Sequence, residues 1–230
     1  MNRYRLSRLL TAALALSLLS AAAHAQLSAN LSLTSKYKYR GQDQSDAAKA
    51  LLPAVQGGFD YVFGDLYVGN WNSSVSGATG GTEVDLYGGY KFNVSGIAMD
   101  AGLLTYVYPG SGNANLNTTE VYLGGTLGMY GIKYSHTVSS RYFGEVGGRG
   151  TGYLGFSANP AIGSGLVLNT AFGYTLKKST QPDYADWKLG ATYDLGSGFS
   201  AAAAVVGATK KNTYGNTNKT RVVFTITKSM

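Results

Sequence analysis

Alternation with a period of two runs through almost the whole chain after residue 25, and no long apolar run accompanies it. In the segment 185–195, Ala185, Trp187, Leu189, Ala191, Tyr193 and Leu195 fall on one face, and Asp186, Lys188, Gly190, Thr192 and Asp194 on the other. Residues 83–94 set Val84, Leu86, Tyr90, Phe92 and Val94 against Glu83, Asp85, Tyr87, Lys91 and Asn93. Further stretches repeat the pattern: 27–40, with Tyr37 and Tyr39 continuing the apolar face, 120–127, and 221–227. One apolar and one polar face at this period is a strand signature, and no helical period competes with it.

The connections give the topology. Gly64-Asp65, Ser95-Gly96, Met129 to Gly131, Asn159 to Gly165 and Gly196 to Gly198 are short and glycine-bearing. Between them fall longer polar stretches at 41–50, 76–82, 109–118, 141–149, 177–183 and 210–218. Strands joined alternately by short turns and long loops are the arrangement of outer-membrane barrels. The expectation is an all-β, antiparallel transmembrane barrel of about twelve strands, with ten as the fallback if the vaguest pair merges. Two stretches are weak. At 66–75 a Leu66/Val68 face competes with a Tyr67/Trp71/Val75 face, and a two-residue turn at Gly64-Asp65 favours the first. The Ala201–Ala204 run carries little phase.

Composition supports lipid as the outer solvent. Charged residues make up 13% of the chain and glycine 32 of 230 residues, about half and double the usual shares. A soluble sandwich with so few charges would be poorly solvated. Arg3, Arg5 and Arg8, an apolar stretch Leu9 to Ala23, and Ala23-His24-Ala25 read as a signal peptide cleaved after Ala25. The expected domains are therefore 1–25, a signal peptide, and 26–230, one barrel in the bacterial outer membrane. Removing those three arginines from the 19 basic residues leaves 16 against 12 acidic ones, a net charge of +4. That balance is too mild to point to nucleic acid. The absence of cysteine excludes disulfides, thiolate metal sites and cysteine nucleophiles.

Several blocks, in order, resemble a known family: Ser35-Lys36-Tyr37-Lys38-Tyr39-Arg40-Gly41, Gln44-Ser45, Pro53 to Tyr61, Val68-Gly69-Asn70-Trp71-Asn72-Ser73, Glu83 to Tyr90, Tyr106-Val107-Tyr108-Pro109, Thr119-Glu120 and Tyr184 to Gly190. Over nearly all of the mature chain they are similar to the TorF-type porin family of proteobacterial outer membranes. The resemblance implies an outer-membrane barrel acting as a channel and brings no substrate with it. The chain departs from the usual aromatic end of such barrels, closing on Thr227-Lys228-Ser229-Met230 with Phe224 the nearest aromatic.

Candidate lumen-lining charges are Lys36, Lys38, Arg40, Asp60, Glu83, Asp85, Asp100, Glu120, Lys133, Arg141, Asp186, Lys188 and Arg221. In a water-filled lumen, rings of charge select ions, whereas mixed signs in a narrow one pair and plug it. Aromatics near strand ends (Tyr37, Tyr39, Tyr61, Phe63, Tyr106, Tyr108, Trp187 and Tyr193) are expected in interfacial girdles. The pairs Gly88-Gly89 and Gly124-Gly125 are expected to relieve crowding in a curved sheet. His136, the one histidine after residue 25, is expected on the lipid-facing or interfacial side. A Ser-His-Asp reading lacks a motif to orient that histidine. Gly150 to Gly155 spells G-x-G-x-x-G, but it continues as strand and lacks the dinucleotide context. Neither a catalytic residue nor a metal or cofactor site is expected. The expected partners are outer-membrane lipids and small polar or ionic solutes, and the expected function is their passive diffusion through a narrow lumen. The alternatives are a non-conducting barrel with a structural or partner-binding role and, with the least support, an outer-membrane enzyme.

Overall fold

The computed structural model describes residues 25–76 and 79–230. Residues 1–24 of the expected signal peptide, and residues 77–78 in the expected loop 76–82, lie outside that description.

Twelve strands form the barrel. They are β1 (Ala25–Thr34), β2 (Ala54–Phe63), β3 (Leu66–Ser74), β4 (Thr82–Val94), β5 (Ile97–Val107), β6 (Thr118–Leu127), β7 (Tyr130–Thr137), β8 (Gly152–Ala158), β9 (Leu166–Leu176), β10 (Tyr184–Gly196), β11 (Phe199–Ala208) and β12 (Arg221–Ser229). Each pairs antiparallel with the next, and β1 also pairs with β12, so the sheet closes on itself. Closure satisfies the backbone groups that hydrocarbon would leave unpaired. The outward face carries the expected apolar residues, among them Leu31, Leu123, Leu189 and Ile226, together with Phe59 and Leu103, all exposed.

Turn chemistry sets the register. Ser95-Gly96 and Ser197-Gly198 have positive φ at both positions (51° and 86°, 52° and 76°), the geometry that matches the twist of a two-residue hairpin. At 66–75 the register places Leu66 and Val68 outward and Tyr67 inward, the face favoured by the short turn. Opposed residues share a face, so Ala203 opposite the outward Phe224 puts Ala202 and Ala204 inward. The alanine run is a stretch of low wall.

Glycine on the inner face makes sockets for tyrosine rings. Tyr67 lies directly opposite Gly89, Tyr87 opposite Gly69, and Tyr122 opposite Gly102. A Cβ added at Gly89 or Gly102 would sit 2.5 Å from the facing tyrosine hydroxyl. Each ring therefore lies flat across its neighbour strand, an arrangement that pins register and restores packing where glycine would weaken it. Of the expected glycine pairs, Gly88-Gly89 has this role through Gly89. The atoms nearest to a Cβ at Gly124 or Gly125 belong to Ile132, Lys133, Met99 and Ile97, not to a ring.

Placing a charge on the outer face tests the lipid-facing assignment. Leu189→Arg, in the middle of β10, is expected to lower folding stability in lipid vesicles by about 2–4 kcal/mol, read by urea titration.

Candidate channel lumen

The strand expected to continue to residue 40 ends at Thr34, and the chain then turns into the barrel. Lys38–Tyr39 and Gln42–Asp43 pair as a short hairpin. Its tip, Arg40-Gly41, has φ of 45° and 74°. A Cβ on Gly41 would lie 2.5 Å from the Cβ of Asp186 on β10, so the tip abuts the wall.

The hairpin works as a hub. Arg40 makes a two-pronged contact with Glu120 on β6, at 2.8 and 2.7 Å, and its guanidinium lies 4.2 Å from the Tyr153 ring centroid. Tyr37 donates to Glu83 on β4 at 2.8 Å, and Tyr108 donates to the other oxygen of the same carboxylate at 2.8 Å. Tyr39 stacks edge-on against Tyr106 and Phe143. The buried Asp43 draws Lys38 (3.3 Å), Arg221 (3.3 Å) and Lys36 (3.8 Å) around it. Lys36 is further held by the carbonyls of Asp46 and Lys49, at 2.8 and 2.9 Å. Wall residues at this level (Ser73, Glu83, Tyr106, Thr118, Glu120, Thr137, Thr175, Tyr184) are all buried, so the hairpin and its neighbours pack the long-loop end of the lumen. Loop 138–151 adds a second inward contact through Phe143, and its Glu145 accepts from Lys177 at 2.6 Å. Burial pulls the Lys177 ammonium below its ordinary range, with Glu145 opposing the shift.

These positions correct the girdle expectation. Tyr61, Phe63, Trp187 and Tyr193 are exposed on the outer surface, but Tyr37, Tyr106 and Tyr108 are buried inside with Val75 and Ala54, and Tyr39 packs against them. The physical reason is the carboxylates: Glu83 and Glu120 on the inner wall need donors, and phenols and a guanidinium supply them.

Below the hairpin the lumen opens. A cavity of about 510 Å³ is lined by Asp60, Tyr67, Asp85, Tyr87, Lys91, Asp100, Tyr122 and Lys133. Another, of about 350 Å³, lies against the hairpin and includes Trp71, Asp186, Lys188, Ala202 and Ala204. In the larger one Tyr67 donates to Asp100 at 2.6 Å and also bonds Tyr122, while Tyr87 donates to Asp60 at 2.8 Å.

The thirteen candidate charges thus separate by place. Lys38 and Arg40 sit on the inserted hairpin and Lys36 just before it, Glu83, Glu120 and Arg221 hold it or its neighbours, and Asp60, Asp85, Asp100 and Lys133 line the larger cavity. Asp186 and Lys188 line the smaller one. Arg141 stays in loop 138–151, donating to the Gly144 carbonyl at 3.2 Å. Sequence reasoning missed Asp43, Lys91 and the lumenal tyrosines 67, 87, 122 and 153. Tyr87 and Lys91 were visible as members of the polar face of 83–94, whereas Asp43 carried no periodic signal. His136 lies 3.1 Å from the hydroxyl of Tyr134, a residue of the exposed outer face, so its polar partner is a phenol and not a carboxylate. The G-x-G-x-x-G segment runs into β8.

A family profile spans residues 19–230. The chain belongs to the Gcw_chp family. Its description is bacterial protein of unknown function, and it does not carry the TorF-type name. No curated protein matches the chain by sequence. Among solved structures this Gcw_chp chain is similar to the KdgM porin, with a TM-score of 0.59 and 8% identity over 88% of this chain and 99% of that one. It is similar to the NanC porin (0.54, 9%, 88% and 98%) and to an outer membrane channel from Pseudomonas putida F1 (0.50, 9%, 90% and 95%). At these identities the likeness is one of fold.

The buried Arg40–Glu120 pair is the hub's strongest anchor. Arg40→Met or Glu120→Gln alone is expected to destabilise by about 3–5 kcal/mol, because each leaves a charge or its partner buried and unmatched. The double change should cost much less than the sum, which a double-mutant cycle of urea unfolding measures.

Proposed function

We propose that this chain is a channel of the bacterial outer membrane, exported by a signal peptide cleaved after Ala25, that passes small polar or ionic solutes through a narrow lumen. Residues 26–230 act as its single barrel domain, with lipid outside and solute within. The observation that carries the reading is the contrast between the two surfaces of one closed sheet. The outside is apolar, and the inside presents charged and phenolic groups around open cavities. A wall of this kind separates hydrocarbon from water. The porin-like fold of the solved neighbours supports the same reading.

Width is set by the inserted hairpin, not by strand number alone. Twelve strands stand between filled eight-stranded barrels and wide porins, and the hairpin narrows the long-loop half further. The same packing favours a second reading, a barrel plugged by its own loop that works through its exposed loops or its wall.

Planar bilayers separate the two. The channel reading expects discrete current steps at low protein concentration, with ion selectivity altered by Lys188→Gln. Silence from protein shown to be folded by heat-modifiable migration would leave the plugged barrel as the answer.

A further inference from the structure

The charges of the larger cavity divide along its length. Towards the short-turn mouth, Lys91, Asp100 and Lys133 share one row of the wall: Lys91 pairs with Asp100, Asp100 with Gly124, and Gly124 with Lys133. Both lysines are exposed there. Asp85 lies six residues before Lys91 on β4, about 20 Å deeper at the rise of a strand. It lines the same cavity, is 7% exposed, and its Oδ1 has no hydrogen-bond partner. Among the described residues no basic nitrogen lies within 4.0 Å of its carboxylate. The charges that bear on it are those of Glu83 and Glu120. Glu83 is answered by the phenols of Tyr37 and Tyr108, and Glu120 by both prongs of Arg40. Three carboxylates thus share one guanidinium at the deep end of the cavity, and Asp85 is the one left without donor or counter-charge.

A buried carboxylate so placed costs free energy until a cation meets it. We propose that Asp85 is the floor of a site for a small organic ammonium ion. The sign follows from its neighbours, since an anion would face three carboxylates and a single guanidinium already engaged. The organic class follows from the ligands on offer. A hard metal ion takes six or more oxygens. Among the described residues no group of three acidic or histidine side chains could hold one, and the phenols nearest Glu83 are spent on it. An alkylammonium ion asks for less: one charged acceptor and an aromatic or apolar surround. Tyr87 follows Asp85 on the same face of β4, Leu104 pairs with Tyr87 from β5, and both line the cavity beside Asp85. The volume of about 510 Å³ lies within the range of small-molecule sites. The inference names the solute class for the channel reading and rests on that reading for its role in transport, but not for binding itself.

Titration calorimetry on the folded full-length protein in detergent tests it with four probes: butylammonium, butanol as its neutral counterpart, butyrate as the anion, and potassium ion. Butylammonium is expected to bind at least about tenfold more tightly than butanol, the worth of a hydrogen bond to a charged group, and butyrate least of all. Asp85→Asn, which keeps the side chain's shape, should bring butylammonium down to the affinity of butanol. Equal affinity for butylammonium and butanol, tighter binding of potassium ion than of butylammonium, or butylammonium binding indifferent to Asp85→Asn would each overturn the proposal. If the variant fails to fold, the probe series on the parent still decides. Butylammonium binding by a protein silent in bilayers sinks the channel reading and keeps the site. Conduction by a protein that does not prefer butylammonium to butanol does the reverse.

Discussion

The pairing of β1 with β12 is the interaction on which everything else in this molecule rests. Asn30 to Thr34 meet Thr225 to Ser229 in register, and with that seam made no strand edge faces lipid. An unpaired backbone group in hydrocarbon costs several kcal/mol, so an open version of this sheet would not be stable there. Once the seam is fixed, strict alternation assigns every side chain to lipid or to lumen. Ser32 and Thr34 at the seam bond Thr227 and Thr225 on the inner side, while Leu31 and Leu33 turn outward.

The lumen then has to manage the charges that alternation sends inward. In the long-loop half they are neutralised largely by an inserted segment of the chain itself, 37–43, in which Arg40 answers Glu120 and Tyr37 joins Tyr108 in answering Glu83. In the short-turn half, tyrosines seated over glycines carry hydrogen bonds to Asp60 and Asp100 and leave space between them. One half is therefore a packed polar core and the other a lined vessel. Their difference comes from where the loop inserts and from the wall itself, which carries Glu83, Glu120 and threonines at the hairpin and tyrosines over glycines below it.

Much of this architecture was legible in the chain. Period-two alternation at 83–94, 120–127 and 185–195 placed lipid-facing and inward residues, and the glycine-bearing turns gave about twelve strands, with ten as the fallback, where the barrel has twelve. The inserted hairpin was not legible, because Tyr37-Lys38-Tyr39-Arg40 alternates as regularly as a wall strand does. In that stretch the alternation reflects tyrosines entering a lumenal aromatic cluster, Lys38 pairing with Asp43 across the hairpin and Arg40 pairing with Glu120 on a distant strand. Contacts such as Arg40 with Glu120, 80 residues apart, leave no local trace. Tyr106 and Tyr108 were misplaced for a related reason. An aromatic at a strand end suits a lipid headgroup and a buried carboxylate equally well, and only the partner decides.

The central claim is that residues 37–42, and not the barrel wall, set the width of the lumen. Single-channel current in planar bilayers measures this directly, on a protein in which those six residues are replaced by a glycine-serine stretch of the same length. The account predicts current steps larger than those of the parent, or steps appearing where the parent is closed. Steps unchanged in size from the parent's, from folded protein, would contradict it.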